Sequence, residues 1–336
     1  MYNNQTALSR RRFLQMTGAV GGTLALAACV PLEELETMRE HDGSHGEGDK
    51  HDGEMTMHGD GMMAPEASES MSMESGSTVS IYAMEGASIH TYTGGPAGNG
   101  TYIVEGENSL VLVDGQFLAP VAQEFRSYAD GLEKSIDRLI LTHEHPDHWF
   151  GLGAAFEDVA IHTSAGTQAF LNESGPATLE ARAESMGAVN NYVSIENLLP
   201  DGGETVDGIA YEYRVYQDAE ADEQVVAMLP DQGVMLIGDL IYNNWHLVLS
   251  QEFDNWISYL EELKDLDGYS LVLPGHGLPG GKELFGDTID YLTTARDLFG
   301  NAEGPDDFQA KMLEVYPDRE GAFFWDLILG RLYPQS

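Results

Sequence analysis

The feature that most restricts the fold of this chain is a short apolar strand that runs directly into a histidine-rich loop. Residues 138–141 predict the strand, and residues 142–148 read Thr-His-Glu-His-Pro-Asp-His. Divalent metal ions need nitrogen and oxygen donors that converge on one point, and a short loop at the end of a buried strand can supply them at that density. Candidate metal ligands are His143, His145, Asp147 and His148. The alternative is that the three histidines are polar surface residues.

Predicted strands and helices alternate around this loop. Strands are expected at residues 79–84, 90–92, 101–104, 109–113, 138–141, 211–216, 225–229, 234–237 and 270–273. Helices are expected at residues 120–129, 179–186, 255–263 and 282–298. The strands are β-rich runs between turn residues, and the helices have helical apolar spacing. Strands mixed with helices indicate two sheets covered by helices, which is a layered α/β or α+β sandwich.

Further predicted strands also end in a side chain that can bind a metal ion. Residues 235–239 read Met-Leu-Ile-Gly-Asp and end in Asp239, whereas residues 273–277 read Leu-Pro-Gly-His-Gly and contain His276. An earlier strand is closed by Asp114. Apolar strands that are far apart in the sequence therefore end in side chains suited to a metal centre.

The motif H-x-H-x-D-H at the end of an apolar strand is the signature of the metallo-β-lactamase superfamily, and residues 143–148 resemble it without a mismatch. The resemblance covers most of the chain from about residue 80 to about residue 300. It implies a four-layer αββα sandwich, Asp239 as a carboxylate that bridges two metal ions, and His276 as the last histidine ligand. It also implies that Asp114 supports the ligand loop without binding metal itself.

One ligand departs from the common pattern of this superfamily. Most members carry a histidine in a Gly-His-Thr motif before the strand predicted at residues 225–229, whereas residues 217–224 read Gln-Asp-Ala-Glu-Ala-Asp-Glu-Gln. Counting back from the strand places Glu220 at this position, and its Glu-Ala pair resembles the alkylsulfatase branch, in which a glutamate replaces the histidine. The alternatives are Asp218 or Asp222 in another loop register, and a fully solvated acidic loop.

The resemblance implies two divalent metal ions. The expected ligands are His143, His145 and Glu220 for one ion and Asp147, His148 and His276 for the other, with Asp239 between them. Zinc is the expected metal, and the three carboxylates also suit manganese or iron. Such a centre implies a metal-dependent hydrolase in which a metal-activated bridging hydroxide attacks an ester-like bond of a lactone, thioester, β-lactam or sulfate ester.

The resemblance assigns catalytic roles to two residues. Asp147 is expected to orient the hydroxide and later to pass on a proton. Tyr242 lies three residues beyond Asp239, where related lactonases carry a tyrosine that hydrogen-bonds the developing oxyanion. The alternative for Tyr242 is an ordinary aromatic residue in a pocket wall. Three further residues that could line the pocket are Asn243, Asn244 and His246.

Residues 1–28 predict an export signal. Residues 9–14 read Ser-Arg-Arg-Arg-Phe-Leu, which resembles a twin-arginine signal, and an apolar run of small residues follows. Residues 26–29 read Leu-Ala-Ala-Cys and resemble the box at which bacterial lipoproteins are cleaved and acylated. Cys29 is the only cysteine of the chain, so it is the expected lipid attachment point of an extracytoplasmic, membrane-anchored protein. The alternative is an uncleaved membrane anchor.

Residues 29–78 predict a disordered acidic tether, because they contain few β-branched or aromatic residues that could form a core. The tether contains histidines and methionines suited to copper or zinc capture. They are His41, His45, His51, His58, Met55, Met57, Met62, Met63, Met71 and Met73. The alternative is a solvated linker with incidental histidines.

The net charge of the chain is −40. Such a charge repels phosphate backbones, which argues against nucleic acid as a substrate and leaves a small molecule as the expected one. It also keeps the surface hydrated.

The catalytic domain is expected at residues 79–303, followed by a C-terminal helical extension at residues 304–336 that packs on the core or on a partner chain. Two rival functions remain. The first is a metal-binding lipoprotein with a non-catalytic fold, against which the nearly complete ligand set argues. The second is a redox enzyme with a di-iron centre, but no flavodoxin-like segment is apparent after the domain.

Overall fold

The computed structural model describes residues 64–186 and 191–334, which form a mixed α/β fold. The strands in these residues are β1 (Glu69–Ser72), β2 (Thr78–Met84), β3 (Ala87–Gly94), β4 (Asn99–Glu105), β5 (Ser109–Val113), β6 (Ser135–Ile140), β7 (Ile161–Thr163), β8 (Asn197–Leu198), β9 (Gly203–Val206), β10 (Ile209–Gln217), β11 (Glu223–Leu229), β12 (Val234–Tyr242) and β13 (Leu271–His276). The helices are α1 (Ala119–Asp130), α2 (Pro146–Trp149), α3 (Leu152–Ala155), α4 (Ala165–Met186), α5 (Phe253–Lys264), α6 (Glu283–Asn301), α7 (Pro305–Val315) and α8 (Trp325–Leu332), with a 3-10 turn at Ala322–Phe324.

The strands form one continuous sheet with two halves. Its order is β8-β7-β6-β5-β4-β13-β12-β11-β10-β9, and β3, β2 and β1 extend it from β4 outside this path. The register between β4 and β13 contains one pair, Asn99 opposite His276. The half built from β1–β8 and the half built from β9–β13 therefore meet at a short junction, and His276 lies at that junction.

The buried hydrophobic residues form three clusters, which lie between the helices and the two sheet halves. Neighbouring residues of β5 show the pattern, because Leu112 belongs to the cluster of Phe125 in α1, whereas Val111 belongs to the cluster of Leu236 in β12. A third cluster joins the other face of β11–β13 to the later helices, with Trp256 of α5 fully buried in it. The layers are helix, sheet, sheet and helix, which confirms the predicted four-layer αββα sandwich. Because β12 and β13 are buried on both faces, their sequences begin with continuous apolar runs without alternation.

The predicted elements agree with the structure for most of the longer strands and differ at three short strands, at α4 and at the end of β12. β5 has its predicted bounds, whereas β7, β8 and β9 were not predicted because each has only two to four residues. α4 begins at Ala165, well before the predicted start at residue 179. The prediction missed the first part of the helix because Gly175 and Pro176 interrupt its sequence pattern. β12 continues to Tyr242 instead of ending at residue 237.

The predicted tether is too long at its C-terminal end. It was expected to reach residue 78, but β1 pairs antiparallel with β2, with Glu69 opposite Ile81. Backbone hydrogen bonds such as that from Ser68 N to Ile81 O, 2.7 Å long, order this polar segment although the side chains of β1 are exposed. The predicted signal, Cys29 and the tether before residue 64 lie outside the described residues.

The segment predicted as a C-terminal helical extension packs on the core. Phe308 of α7 and Trp325, Ile328 and Leu332 of α8 are buried in the same cluster as Trp256. No helix of the described residues is both long enough and apolar enough to cross a membrane.

Candidate metal centre

Side chains from four segments converge at the junction of the two sheet halves. They are His143, His145, Asp147 and His148 of the loop after β6 and of α2, Glu220 of the turn between β10 and β11, Asp239 of β12, and His276 at the end of β13. The structure thus brings together all the residues that were predicted as ligands. We refer to these side chains as the ligand cluster.

The ligand cluster contains two groups of donors, and within each group the ligand atoms all lie within 4.8 Å of one another. The first group is His143, His145, Glu220 and Asp239, and the second group is Asp147, His148, Asp239 and His276. Asp239 belongs to both groups. This is the arrangement expected of a carboxylate that bridges two metal ions.

Glu220 lies close to both histidines of the first group. Its Oε2 lies 3.7 Å from His143 Nε2 and 3.0 Å from His145 Nδ1. Asp239 Oδ2 lies 3.6 Å from His143 Nε2. Two ligands that are each about 2 Å from one tetrahedral ion are separated by about 3.3 Å. The spacing of the first group therefore suits one ion.

The second group has the same spacing. Asp239 Oδ1 lies 3.1 Å from His148 Nε2, and Asp239 Oδ2 lies 3.3 Å from His276 Nε2. Asp147 Oδ2 lies 3.2 Å from His276 Nε2 and 3.7 Å from His148 Nε2. The second group therefore also suits one ion.

Donor atoms of both groups are buried without a hydrogen-bond partner in the described residues. These atoms are His143 Nε2, His148 Nε2, Glu220 Oε2, Asp239 Oδ1 and His276 Nε2. A buried polar atom without a partner costs about 1–3 kcal/mol, so an arrangement with several such atoms needs a compensating ligand. Imidazole nitrogens and carboxylate oxygens that face one another fit divalent metal ions.

Hydrogen bonds on the opposite ring nitrogens orient two of the histidines, His148 and His276. His148 Nδ1 lies 2.8 Å from Asp114 Oδ2, and Asp114 also accepts a hydrogen bond of 2.8 Å from Thr142 N. His276 Nδ1 donates to the carbonyl of Ala97 at 2.7 Å. Each contact selects the tautomer in which Nε2 is free to bind metal. Asp114 thus occupies the supporting position that the sequence predicted for it.

Glu220 is the acid of its turn that points into the ligand cluster. Its side chain is 0% exposed, whereas Asp218 and Asp222 are exposed. Backbone hydrogen bonds from Asp218 N to Asp222 O and from Ala219 N to Ala221 O close the turn. The alternatives Asp218 and Asp222 and the solvated loop do not agree with this geometry.

Two polar side chains hold the carboxylates of the ligand cluster. Tyr242 Oη donates to Asp239 Oδ2 at 2.7 Å, and Asn99 Nδ2 donates to Asp147 Oδ2 at 2.8 Å. Burial and the charge of Asp239 raise the pKa of Tyr242 well above its usual value, so its phenol stays a donor. Tyr242 is thus engaged with the shared carboxylate, and its predicted contact with a substrate oxyanion stays a prediction.

The electrostatic field of the ligand cluster favours a cation. Burial alone lowers the pKa of His276, but Asp239 and Asp147 outweigh it and raise this pKa to about 10. Burial alone raises the pKa of Asp239, but the neighbouring His148 and His276 outweigh it and hold this pKa well below its usual value. Ionised carboxylates favour a positive charge beside them, and a divalent metal ion can supply that charge.

Two glycines permit the close approach of β12 and β13. A Cβ at Gly275 would lie 1.7 Å from Asp239 Oδ1, so no larger residue fits there. Gly238 has a left-handed φ of 58° at the register shift between the two strands. The shift lets β12 continue with Asp239 facing the ligand cluster.

The model of the metallo-beta-lactamase superfamily matches residues 94–276 of this chain. The match begins at the end of β3, ends at His276, and includes every member of the ligand cluster. The chain belongs to the metallo-beta-lactamase superfamily. Its layered sandwich is the hydrolase-like fold of this superfamily.

Relatives and solved structures agree with this assignment. The chain is 26% identical over 196 residues to the metallo-beta-lactamase type 2 of Bacillus sp. (strain 170), a match that covers 56% of this chain and 71% of the relative. A metallo-beta-lactamase structure from Pontibacter korlensis superposes with a TM-score of 0.51 at 19% identity and covers 64% of this chain and 99% of its own. The mono-zinc form of the metallo-beta-lactamase FIM-1 from Pseudomonas aeruginosa gives a TM-score of 0.51 at 20% identity, with 65% and 96% covered. At these identities the structures show a shared fold.

One residue predicted for the pocket of this metallo-beta-lactamase fold lies in the core instead. His246 is 1% exposed, and its Nδ1 lies 3.0 Å from Tyr291 Oη. Its ring packs against Trp325 with centroids 5.1 Å apart. His246 belongs to the helical layer because the chain turns inward after Asn244, which is exposed.

Two residues next to the ligand cluster were not predicted from the sequence. Asn99 contacts Asp147 across the junction of the sheet halves, and Arg331 of α8 contacts Glu220. Asn99 follows a glycine-rich turn that indicates only a change of direction. Arg331 is 111 residues from its partner, and no local pattern reports such a contact.

Proposed function

We propose that this protein is a binuclear metal-dependent hydrolase that acts on an ester-like bond. The observation that carries the proposal is the pair of buried donor groups that share Asp239. Two neighbouring metal positions that share a carboxylate suit the activation of a hydroxide and of a substrate oxygen at one place. The superfamily match over residues 94–276, which includes every member of the ligand cluster, supports the same proposal.

Zinc is the proposed metal, with manganese and iron as alternatives. The first group offers two imidazoles and two carboxylates, and the second group offers the same donor types in the same numbers. Imidazole suits zinc and iron, and a carboxylate-rich site also accepts manganese. When bound, a pair of such ions supplies a hydroxide nucleophile near neutral pH and a Lewis acid for the substrate oxygen.

The residues of the chain divide the remaining work. Substrate is expected to approach where the cluster is open, at His145 and Asp147, whose side chains are 24% and 21% exposed. Asp147 lies at this opening with its Oδ2 fixed by Asn99, so it can hold the nucleophile in place and pass a proton to the leaving group. Tyr242 keeps Asp239 oriented through its hydrogen bond to Oδ2.

The test is hydrolysis of a panel by the purified, zinc-loaded protein. The panel contains a lactone, an acyl thioester, a β-lactam and an alkyl sulfate, and the matched inactive control is Asp147→Asn, which keeps the contact from Asn99 possible but removes the carboxylate. The proposal expects turnover of at least one ester-like substrate and a loss of about 100-fold or more in kcat with Asp147→Asn. Two bound ions without turnover of any substrate would favour the metal-binding lipoprotein instead.

We further propose that the protein is exported and anchored to the cell envelope through a lipid on Cys29. The resemblance of residues 9–14 and 26–29 to export and lipidation signals supports this proposal. Metabolic labelling with a fatty acid in a bacterial host should label the wild-type chain and not Cys29→Ser. Equal labelling of both chains would overturn the lipid attachment.

A further inference from the structure

Arg331 of the C-terminal helix α8 reaches the turn that carries Glu220. Its Nη2 donates to the carbonyl oxygen of Glu220 at 2.7 Å, and its Nη1 lies 3.5 Å from Glu220 Oε1 and 3.5 Å from the carbonyl of Val248. The side chain of Arg331 is 24% exposed, whereas that of Glu220 is 0% exposed. One guanidinium therefore holds both the backbone and the carboxylate of the same residue.

The two carboxylate oxygens of Glu220 have different partners. Oε2 faces the ligand cluster, 3.0 Å from His145 Nδ1, and lacks a hydrogen-bond partner in the described residues. Oε1 faces away from these histidines, towards Arg331. The guanidinium contacts the oxygen that does not face the cluster, and this contact favours the observed rotation of the carboxylate. Oε2 is thereby left free for the first metal position.

Arg331 places a positive charge beside a crowded group of carboxylates. Glu220 is the third carboxylate of the ligand cluster beside Asp147 and Asp239, and all three are confined to one small volume. Three negative charges in such a volume repel one another. A guanidinium stays protonated at any physiological pH, so it supplies a permanent positive charge beside the additional carboxylate.

The segment that carries Arg331 is fixed to the loop after β12. Glu320 N donates to Asn244 O, and Glu320 O accepts from His246 N, both at 2.9 Å. Gln251 Nε2 donates to the carbonyl of Leu332, directly after Arg331, at 2.7 Å. These contacts hold the segment that carries Arg331, and the guanidinium itself is held by the carbonyls of Glu220 and Val248.

We propose that Arg331 is a positioning residue for Glu220, so that the C-terminal segment completes the first metal position. Arg331 lies beyond residues 94–276, which the superfamily model matches. The inference rests on the metal centre of the proposed function. Beyond that function, the inference makes the metal centre dependent on α8, which lies outside the residues matched by the superfamily model.

The test is a zinc competition titration on the purified full-length chain with Arg331→Met, Arg331→Lys and Arg296→Met. All chains also carry serine at His41, His45, His51 and His58, so that the tether does not contribute to zinc binding. Met keeps the length of the arginine stem and removes the charge, whereas Lys keeps a charge. Arg296 is the matched control, because it pairs with Asp254 on the surface and is 39% exposed.

The proposal expects Arg331→Met to weaken one of the two zinc affinities about tenfold or more, with partial recovery in Arg331→Lys and no change in Arg296→Met. In a Glu220→Gln background, Arg331→Met should have no further effect on zinc affinity. Unchanged zinc affinities in Arg331→Met, with or without a lower melting temperature, would leave a merely structural role and overturn the proposal. A wild-type chain that binds no zinc would overturn the metal centre itself.

Discussion

Asp114 Oδ2 and His148 Nδ1 are 2.8 Å apart in the buried junction behind the ligand cluster. The same carboxylate accepts hydrogen bonds from the amide and hydroxyl of Thr142 at 2.8 and 2.9 Å. Asp114 thus links the end of β5 to both ends of the histidine loop. The orientation of the loop depends on one residue that does not itself face the metal positions.

Asp114→Asn should weaken zinc binding by about 10- to 100-fold, because asparagine removes the charge that supports His148. Asparagine also tolerates the left-handed backbone of residue 114, whose φ is 61°, so the turn itself should persist. A competition titration with a zinc chelator measures the change. Asp130→Asn, which removes a surface partner of Arg126, is the control and should bind zinc as the wild type does. Equal affinities in the two variants would contradict the supporting role.

Tyr242→Phe separates the two roles considered for this residue. The variant keeps the ring against His276, with centroids 4.2 Å apart, and removes the hydrogen bond to Asp239. Since a hydrogen bond to a charged group contributes about 1.5–3 kcal/mol, we expect zinc affinity to fall roughly tenfold or more. Tyr316→Phe is the control. Normal zinc affinity with a lower kcat would instead favour a direct contact between Tyr242 and the substrate oxyanion.

Gly275→Ala should abolish the binuclear site. The added methyl group would overlap Asp239 Oδ1 at 1.7 Å and displace the carboxylate that both groups share. Gly300→Ala is the matched control, because its added Cβ would meet no other side chain or neighbouring element within 4 Å. We expect loss of bound metal in the first variant, measured by elemental analysis, and none in the second. Two bound ions in Gly275→Ala would show that the junction is wider than described.

The stability of the protein should fall in mild acid in part because of His246. Burial, together with the charge of Arg319, lowers the pKa of His246 to about 4, whereas an unfolded histidine has a pKa of about 6.5. The unfolded chain therefore binds more protons between these values, so stability rises with pH across this window and is lost as the pH falls below about 6.5. The contribution lost between pH 7 and pH 5 is about 2 kcal/mol.

His246→Asn tests this pH dependence, because asparagine can keep a hydrogen bond to Tyr291 and has no titrating group. Urea unfolding at pH 7 and pH 5 should show a smaller loss of free energy of unfolding for the variant than for the wild type. Titration of the ligand cluster is common to both chains and cancels in the comparison. An equal loss in both chains would refute the assignment.

The sequence could predict which side chains converge in the ligand cluster because most of them are tied to local patterns. His143 to His148 lie in one loop, and Asp239 and His276 each follow an apolar strand run. Glu220 could be identified only by register against β11, which is why two neighbouring acids remained alternatives. The structure removes these alternatives because a tight turn exposes Asp218 and Asp222 and buries Glu220.

Contacts that depend on tertiary structure could not be predicted in this way. His246 was expected near the pocket because it follows Tyr242 closely in sequence, but α8 covers it with Trp325. Arg331 and Asn99 reach the ligand cluster from distant elements. The polar strand β1 was missed for a related reason, since its order comes from pairing with β2 and not from its own composition.

The metal content of the purified full-length chain tests the central claim most directly. The wild type and Glu220→Ala are compared, both with serine at the tether histidines His41, His45, His51 and His58, after loading with zinc and removal of excess metal. The two donor groups that share Asp239 predict two ions per wild-type chain and about one ion in Glu220→Ala. One ion in both chains, or none in the wild type, would contradict a binuclear centre that includes Glu220.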